Sequence, residues 1–198
     1  MTVQTGRSFP FVTQSVIFQF PLEQCYVQPD SSPGCDVRWY RDSDASVMGE
    51  HGYPQAYLDD RLSKGARIIV AESEGRTVGW KFYQTGEVDQ LSWLTLHVPS
   101  DMIFALAAFV IPEMRGKRIA DAISAFGIRH FKKEGYRRRG TNCETWNTVA
   151  ISGSKRLGGS EVMTVTRRNY LLFHTANLNG QTHVGYWGPF TRFPVDIP

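Results

Sequence analysis

The sequence lacks any long apolar run. Its longest strongly hydrophobic stretch, Met102 to Pro112, is about half the roughly 20 residues that a membrane-spanning helix needs. Cysteine is scarce and badly spaced for chemistry: Cys25, Cys35 and Cys143 are odd in number and contain no C-x-x-C. A disulfide framework and a structural zinc site are therefore not expected, although Cys25 and Cys35 could pair in an oxidising compartment. The five histidines, His51, His97, His130, His174 and His183, show no ligand spacing, so no metal is expected. No G-x-S-x-G, phosphate-binding P-loop or Cys/His nucleophile arrangement occurs. The start of the chain has Arg7 but no apolar h-region, which speaks against a secretory signal and for a reduced, cytoplasmic protein. There is no repeat, low-complexity tract or linker, so residues 1–198 read as a single domain.

Strong net charge is also missing. The chain carries 22 basic and 19 acidic side chains, a net +3, which marks no nucleic-acid specialist. The distribution says more. Residues 115–139 hold nine Lys/Arg against Asp121 and Glu134, a local +7 within a chain that is otherwise mildly acidic. The question is which anion this stretch meets.

Residues 1–45 read as irregular, with Pro10, Pro21, Pro29 and Pro33 interrupting short β-like runs such as Val16–Phe20. Pro54 and Gly65 bracket a predicted helix over Gln55–Lys64. Ala66–Tyr83 has the pattern of a β-hairpin turning at Glu74-Gly75-Arg76, with Val78, Trp80 and Phe82 on one apolar face. After a polar interval, Met102–Ile111 is apolar without alternation, as in a central strand covered on both sides, and Pro112 ends it. Ile119–Glu134 has helical periodicity and is capped by Gly135. A strand over Thr141–Trp146, a helix from Asn147 to about Leu157, and one long or two shorter strands over Glu161–Phe173 follow. An aromatic tail with Tyr186, Trp187, Phe190 and Phe193 closes the chain, suited to covering the end of the sheet or a dimer contact. This order predicts an α/β (α+β) fold with a mixed sheet and helices on both faces.

The informative segment is Val110-Ile-Pro-Glu-Met-Arg-Gly-Lys-Arg-Ile-Ala120. A buried strand feeds a short basic loop that opens directly into a helix. The first N–H groups of a helix have no internal acceptors and lie at the positive end of its dipole, so such a junction suits phosphate. Arg115, Lys117 and Arg118 can add charged hydrogen bonds. A solvated basic turn is the competing interpretation.

Taken with Asn147-Thr-Val-Ala150 and Arg156-Leu-Gly-Gly159, this segment resembles the GCN5-related N-acetyltransferase (GNAT) superfamily, most clearly over 102–159 within a motif core of about 66–173. The resemblance implies a mostly antiparallel sheet of six to seven strands, splayed between the strands near 102–111 and 141–146. It implies acetyl-CoA with its pyrophosphate on the loop Arg115-Gly116-Lys117-Arg118-Ile119-Ala120. Its pantothenate arm would meet the backbone of Phe109 and Val110, with Asn147 nearby. The implied reaction is direct attack of an amine on the thioester. Glu144, which shares a strand face with Asn142, stands near the family's usual base position. Ser154 stands where members often carry a Tyr that protonates the thiolate. Arg118 replaces the motif's glycine, and Gly159 replaces an aromatic.

Arg137-Arg138-Arg139 suit the adenosine 3′-phosphate, a nucleic-acid phosphate or a solvated turn. The expected partners are acetyl-CoA and an amine, with no metal and no membrane, in a monomer or homodimer. The acceptor would be chosen by the N-terminal 60 residues, which include the extension 1–50, and by the aromatic tail 177–198. The alternatives are a non-catalytic GNAT-like binding module and an acetyltransferase acting on a nucleic-acid-linked amine.

Overall fold

A computed structural model describes residues 12–25, 34–91, 94–169, 173–178, 181–186 and 193–198. The chain opens with β1 (Val12–Pro21), β2 (Asp36–Trp39) and two short helices, α1 (Ala45–Glu50) and α2 (Gln55–Ser63). Next come the hairpin β3 (Arg67–Ser73) and β4 (Arg76–Gln84), then a second hairpin, β5 (Gly86–Leu91) and β6 (Leu94–Val98). β7 (Met102–Val110) leads to α3 (Ile119–Lys133), β8 (Arg138–Glu144) and α4 (Thr148–Arg156). The described elements end with β9 (Ser160–Asn169), β10 (Phe173–Leu178), β11 (Gln181–Tyr186) and β12 (Phe193–Asp196).

Nine strands form one sheet in the order β11-β10-β9-β1-β8-β7-β4-β3-β2. Every neighbouring pair is antiparallel except β7 and β8. The expected mixed sheet is present, and the β10–β11 hairpin extends it at one edge. β12, β6 and β5 make a separate three-stranded sheet. The polar interval of the sequence is thus the β5–β6 hairpin, and Phe193 of the aromatic tail pairs with Leu94. Trp187 and Phe190 lie outside the described residues.

Two layers cover the large sheet. On one face α3 packs on β3, β4 and β7, with Ile119, Ile123, Ile128 and Phe131 buried, while Ala150, Ile151 and Leu157 of α4 pack on Cys143 of β8. On the other face, Tyr53 in the α1–α2 turn lies against Trp80 and Phe82. There the small sheet buries Val88, Leu96 and Val195 against Met102, Phe104 and Ile17.

The irregular reading of residues 1–45 is corrected most sharply by β1. It lies in the middle of the sheet, pairing Ser15–Pro21 with Glu144–Arg138 on one side and Val12–Gln19 with Arg168–Ser160 on the other. Ile17, Phe18 and Phe20 are almost completely buried. A terminal strand flanked by prolines reads as an edge; pairing on both sides comes from strands that are distant in sequence, which no local pattern reveals. β1 also accounts for Gly159. A Cβ there would stand 2.6 Å from Phe20 Cε1 and 2.9 Å from the Ser154 carbonyl. Phe20 of β1 thus fills the corner that the sequence had left without an aromatic.

Candidate active site

β7 and β8 run parallel and pair only over Met102–Ala105 and Arg138–Thr141. Beyond that point they part, with a fork marked by Thr141 Oγ1 donating to the Ala105 carbonyl at 3.2 Å. The parting coincides with an irregularity on the other edge of β7. Lys81 opposes Ala108 while Tyr83 opposes Ala105, so β7 carries one extra residue at Leu106-Ala107. The bulge bends β7 away from β8 and opens a gap lined by backbone.

The ladder register says which residues face that gap. The Ile111 amide donates to the Val78 carbonyl, which makes Gly79–Val110 a non-hydrogen-bonded pair and Trp80–Phe109 a hydrogen-bonded one. The polar backbone of Phe109 is therefore turned to β4, and that of Ala108 and Val110 to β8. The strand edge open towards β8 is that of Ala108 and Val110; of the expected pair, Phe109 and Val110, Val110 lies on it. The Val110 carbonyl accepts from Arg115 Nε at 3.2 Å, so Arg115 folds back on the end of its own strand.

The basic loop closes the open end of the gap. Pro112–Met114 form one 3-10 turn, Gly116 takes φ +80°, and Arg118 takes φ +59° and ψ 21° as the residue that caps α3. The Asp121 and Ala122 amides donate to the Arg118 carbonyl. The amides of Ile119 and Ala120 make no backbone hydrogen bond among the described residues. Ile119 anchors the helix by its buried side chain, while Arg115, Gly116, Lys117, Arg118 and Ala120 are exposed. The result is a helix N-terminus with open donors and three cations around it, the arrangement that binds phosphate groups.

Arg118 shows why glycine is favoured at its position: the backbone there is left-handed, a conformation costing an L-residue about 1–2 kcal/mol. Its guanidinium reaches Asp121 at 3.6 Å, an exposed pair of little weight. Replacing Arg118 by glycine relieves the strain against an entropic cost of about 0.5–1 kcal/mol. The expected net gain is about 0.5–1 kcal/mol, read as a higher urea midpoint with unchanged slope. A lower midpoint would contradict the left-handed assignment.

The remaining expected site residues separate. Asn147 caps α4, its Oδ1 accepting from the Ala150 amide at 3.1 Å, so the Asn-x-x-Ala signature is first a helix cap. Glu144 is the last residue of β8, opposite Ser15, and lies half-buried at the gap. With Asn142 it faces the α1–α2 side, because Arg139, Thr141 and Cys143 face α3 and α4. Ser154 lies on that opposite side, buried, its Oγ 3.4 Å from Cys143 Sγ. Ser154, expected as a proton donor, thus lies within the α4–β8 packing, on the sheet face opposite Glu144.

The arginine cluster also disperses, because alternation along β8 sends its members to opposite faces. Arg138 binds Asp101, at 2.7 Å from Nη2, holding that carboxyl below its usual range, while Arg139 is buried over the Phe20 ring. Of the three, Arg137 alone is exposed. The three side chains do not converge on one point.

Two groups escaped the sequence reading. His51 lies tilted against Phe109, ring centroids 5.1 Å apart, on the same sheet face as Glu144 and across the gap from it. Lys81 donates from Nζ to Ser124 Oγ at 3.2 Å beneath α3. Burial pushes the Lys81 ammonium well below the usual lysine range, and the Arg139 charge adds to the effect. Its position among Gly79, Lys81 and Tyr83 was the only signal. That face looked polar beside Val78, Trp80 and Phe82, yet α3 covers it. Among the described residues, no group of three or more His, Cys, Asp or Glu is placed to hold a metal ion. No helix among them is long and apolar enough to cross a membrane.

No protein-family model matches the chain. No curated protein matches it either. Solved structures do. A chain assigned to the GNAT acetyltransferases, from Novosphingobium aromaticivorans, superposes with a TM-score of 0.59 at 13% identity, over 90% of this chain and 66% of that one. The aminoglycoside acetyltransferase AAC(6')-Iy, in complex with a CoA bisubstrate analogue, gives 0.52 at 18% identity, over 65% of this chain and 92% of that one. A GCN5-related N-acetyltransferase from Kribbella flavida gives 0.53 at 11% identity, over 88% and 58%.

Proposed function

We propose that this chain, which has the fold of the GCN5-related N-acetyltransferases, is an acyl-CoA-dependent N-acyltransferase that moves an acetyl group from acetyl-CoA to an amine. One observation carries the reading. Among the described residues, the one parallel strand pair of the nine-stranded sheet parts at a bulge, and a helix N-terminus with open amides stands at the open end of the gap. That combination offers phosphate donors and a strand edge, the two things an extended, phosphate-tipped thioester needs.

In this reading the pyrophosphate lies on the amides of Ile119 and Ala120, with Arg115, Lys117 and Arg118 around it. The pantetheine arm adds itself to the edge of Ala108 and Val110. The amine nitrogen attacks the thioester carbon, a C–N bond forms, and the C–S bond breaks with its electron pair on sulfur. Glu144 takes the amine proton, and the CoA thiolate leaves. A thiol with a pKa of about 8.5 leaves without an acid, so the reaction does not depend on Ser154 as a donor. The acceptor approaches from the face that carries Glu144 and His51.

Acetyl-CoA binding is the first test. At a ligand concentration about 100 times Kd, stabilisation should reach about 2.7 kcal/mol, visible as a melting shift of several degrees. An unchanged melting temperature at millimolar acetyl-CoA rejects the reading.

A further inference from the structure

The α3 side of the gap holds a cluster with too many donors. Lys81 and Tyr83 come from β4, Ser124 from α3 and Arg139 from β8. Arg139 is 2% exposed, and its Nε and Nη1 are buried without a partner. The Tyr83 hydroxyl is likewise buried, acted on by the Ser124 hydroxyl without a well-formed hydrogen bond. The Ser124 hydroxyl donates to the Ala120 carbonyl at 2.8 Å and is the sole acceptor for Lys81, at 3.2 Å. A protonated lysine brings three N–H donors and an arginine five. The one carboxylate acting on Lys81 is Asp121, which is itself engaged by Arg118 and Arg156. Lys81 and Arg139 lie together under a helix with unspent N–H groups and no carboxylate committed to them, an arrangement that costs stability unless a ligand completes it.

The cluster is placed where a ligand in the gap would end. Lys81 opposes Ala108, which is exposed, and Tyr83 opposes Ala105, where the gap closes. Arg139 stands two residues before Thr141, on the other side of the fork. From Val110 to Ala105 a strand advances about 16 Å, at about 3.3 Å per residue. An arm laid along that edge from the α3 N-terminus brings its thioester to the fork, and a chain continuing beyond the thioester on the α3 side meets the donors.

We infer that the Lys81–Tyr83–Ser124–Arg139 cluster receives a carboxylate at the far end of the acyl chain, so that the favoured donor is the CoA thioester of a dicarboxylic acid. This rests on the proposed acyl-CoA reading and deepens it. The carboxylate takes no part in bond making; C–N formation and C–S cleavage proceed as above. Its role is to fix the acyl group and to satisfy the buried cations with charge-assisted hydrogen bonds.

Equilibrium binding of succinyl-CoA, butyryl-CoA and acetyl-CoA to the full chain tests it, because succinyl and butyryl differ only in carboxylate against methyl. Succinyl-CoA should bind at least tenfold more tightly than butyryl-CoA, and Lys81→Met should bring that ratio to within twofold. Equal affinities in the unaltered protein overturn the inference, whether or not the variant folds. Failure of all three thioesters to bind overturns the acyl-CoA reading itself. Free succinate is the remaining arm. If it stabilises the protein while the thioesters show no preference, the cluster holds a free anion and the acyl assignment falls.

Discussion

Replacing Phe20 by alanine is expected to cost about 3–5 kcal/mol, the range for truncating a fully buried aromatic. Against a typical total of about 5–15 kcal/mol, that leaves the protein marginal or unfolded. Three features place Phe20 at the upper end. It has no exposed surface, its ring lies against the close approach that only a glycine at 159 permits, and the Arg139 guanidinium sits 5.0 Å above it. Truncation leaves a cavity that β1 cannot close, because β1 is fixed on both sides by β8 and β9. Guanidinium unfolding should show a fall in midpoint with an unchanged slope. A loss below about 1 kcal/mol, the scale of an ordinary surface change, would remove Phe20 from the core and β1 from the middle of the sheet.

Glu144→Gln should lower turnover by a factor of about 100 to 10,000, the range for removing a positioned proton acceptor. The substitution keeps shape and takes away basicity. The side chain stands at the end of β8 on the face opposite α3 and α4, whereas the amides proposed for the phosphate belong to α3. The melting shift produced by acetyl-CoA should therefore persist. Turnover within threefold of the unaltered protein would take Glu144 out of the reaction. Loss of both turnover and the shift would assign it to holding the gap open.

Local signals carried the elements on which that site stands. The hairpin 67–84, the helix ending at Gly135 and the capped helix after Asn147 are each legible because turn residues and periodicity agree over ten or more positions. The strand–loop–helix junction at 110–120 was legible for the same reason. What was not legible depends on partners distant in sequence. Phe20 and Gly159 explain each other only in contact, and neither carries a mark of it alone. Lys81 looked like the polar side of a hairpin because nothing in residues 76–84 announces that α3 lies over it. Arg118 read as a loss to the phosphate loop, whereas its backbone keeps the left-handed turn that glycine would supply, at a cost in strain. Ser154 was placed by count along the helix, and a count does not say which way a short side chain points.

The central position of β1 has a consequence for how the chain is made. Ser15 pairs with Glu144 and Val12 with Arg168, so the first strand described is completed by some of the later ones. At a synthesis rate of about 5–20 residues per second, Val12–Pro21 waits roughly 6–30 s for its partners to be synthesised. During that interval Ile17, Phe18 and Phe20 belong to an unpaired, strongly apolar segment with two open hydrogen-bonding edges. Such a chain closes its sheet late and is exposed to chaperones, or to other copies of itself, while it is being finished.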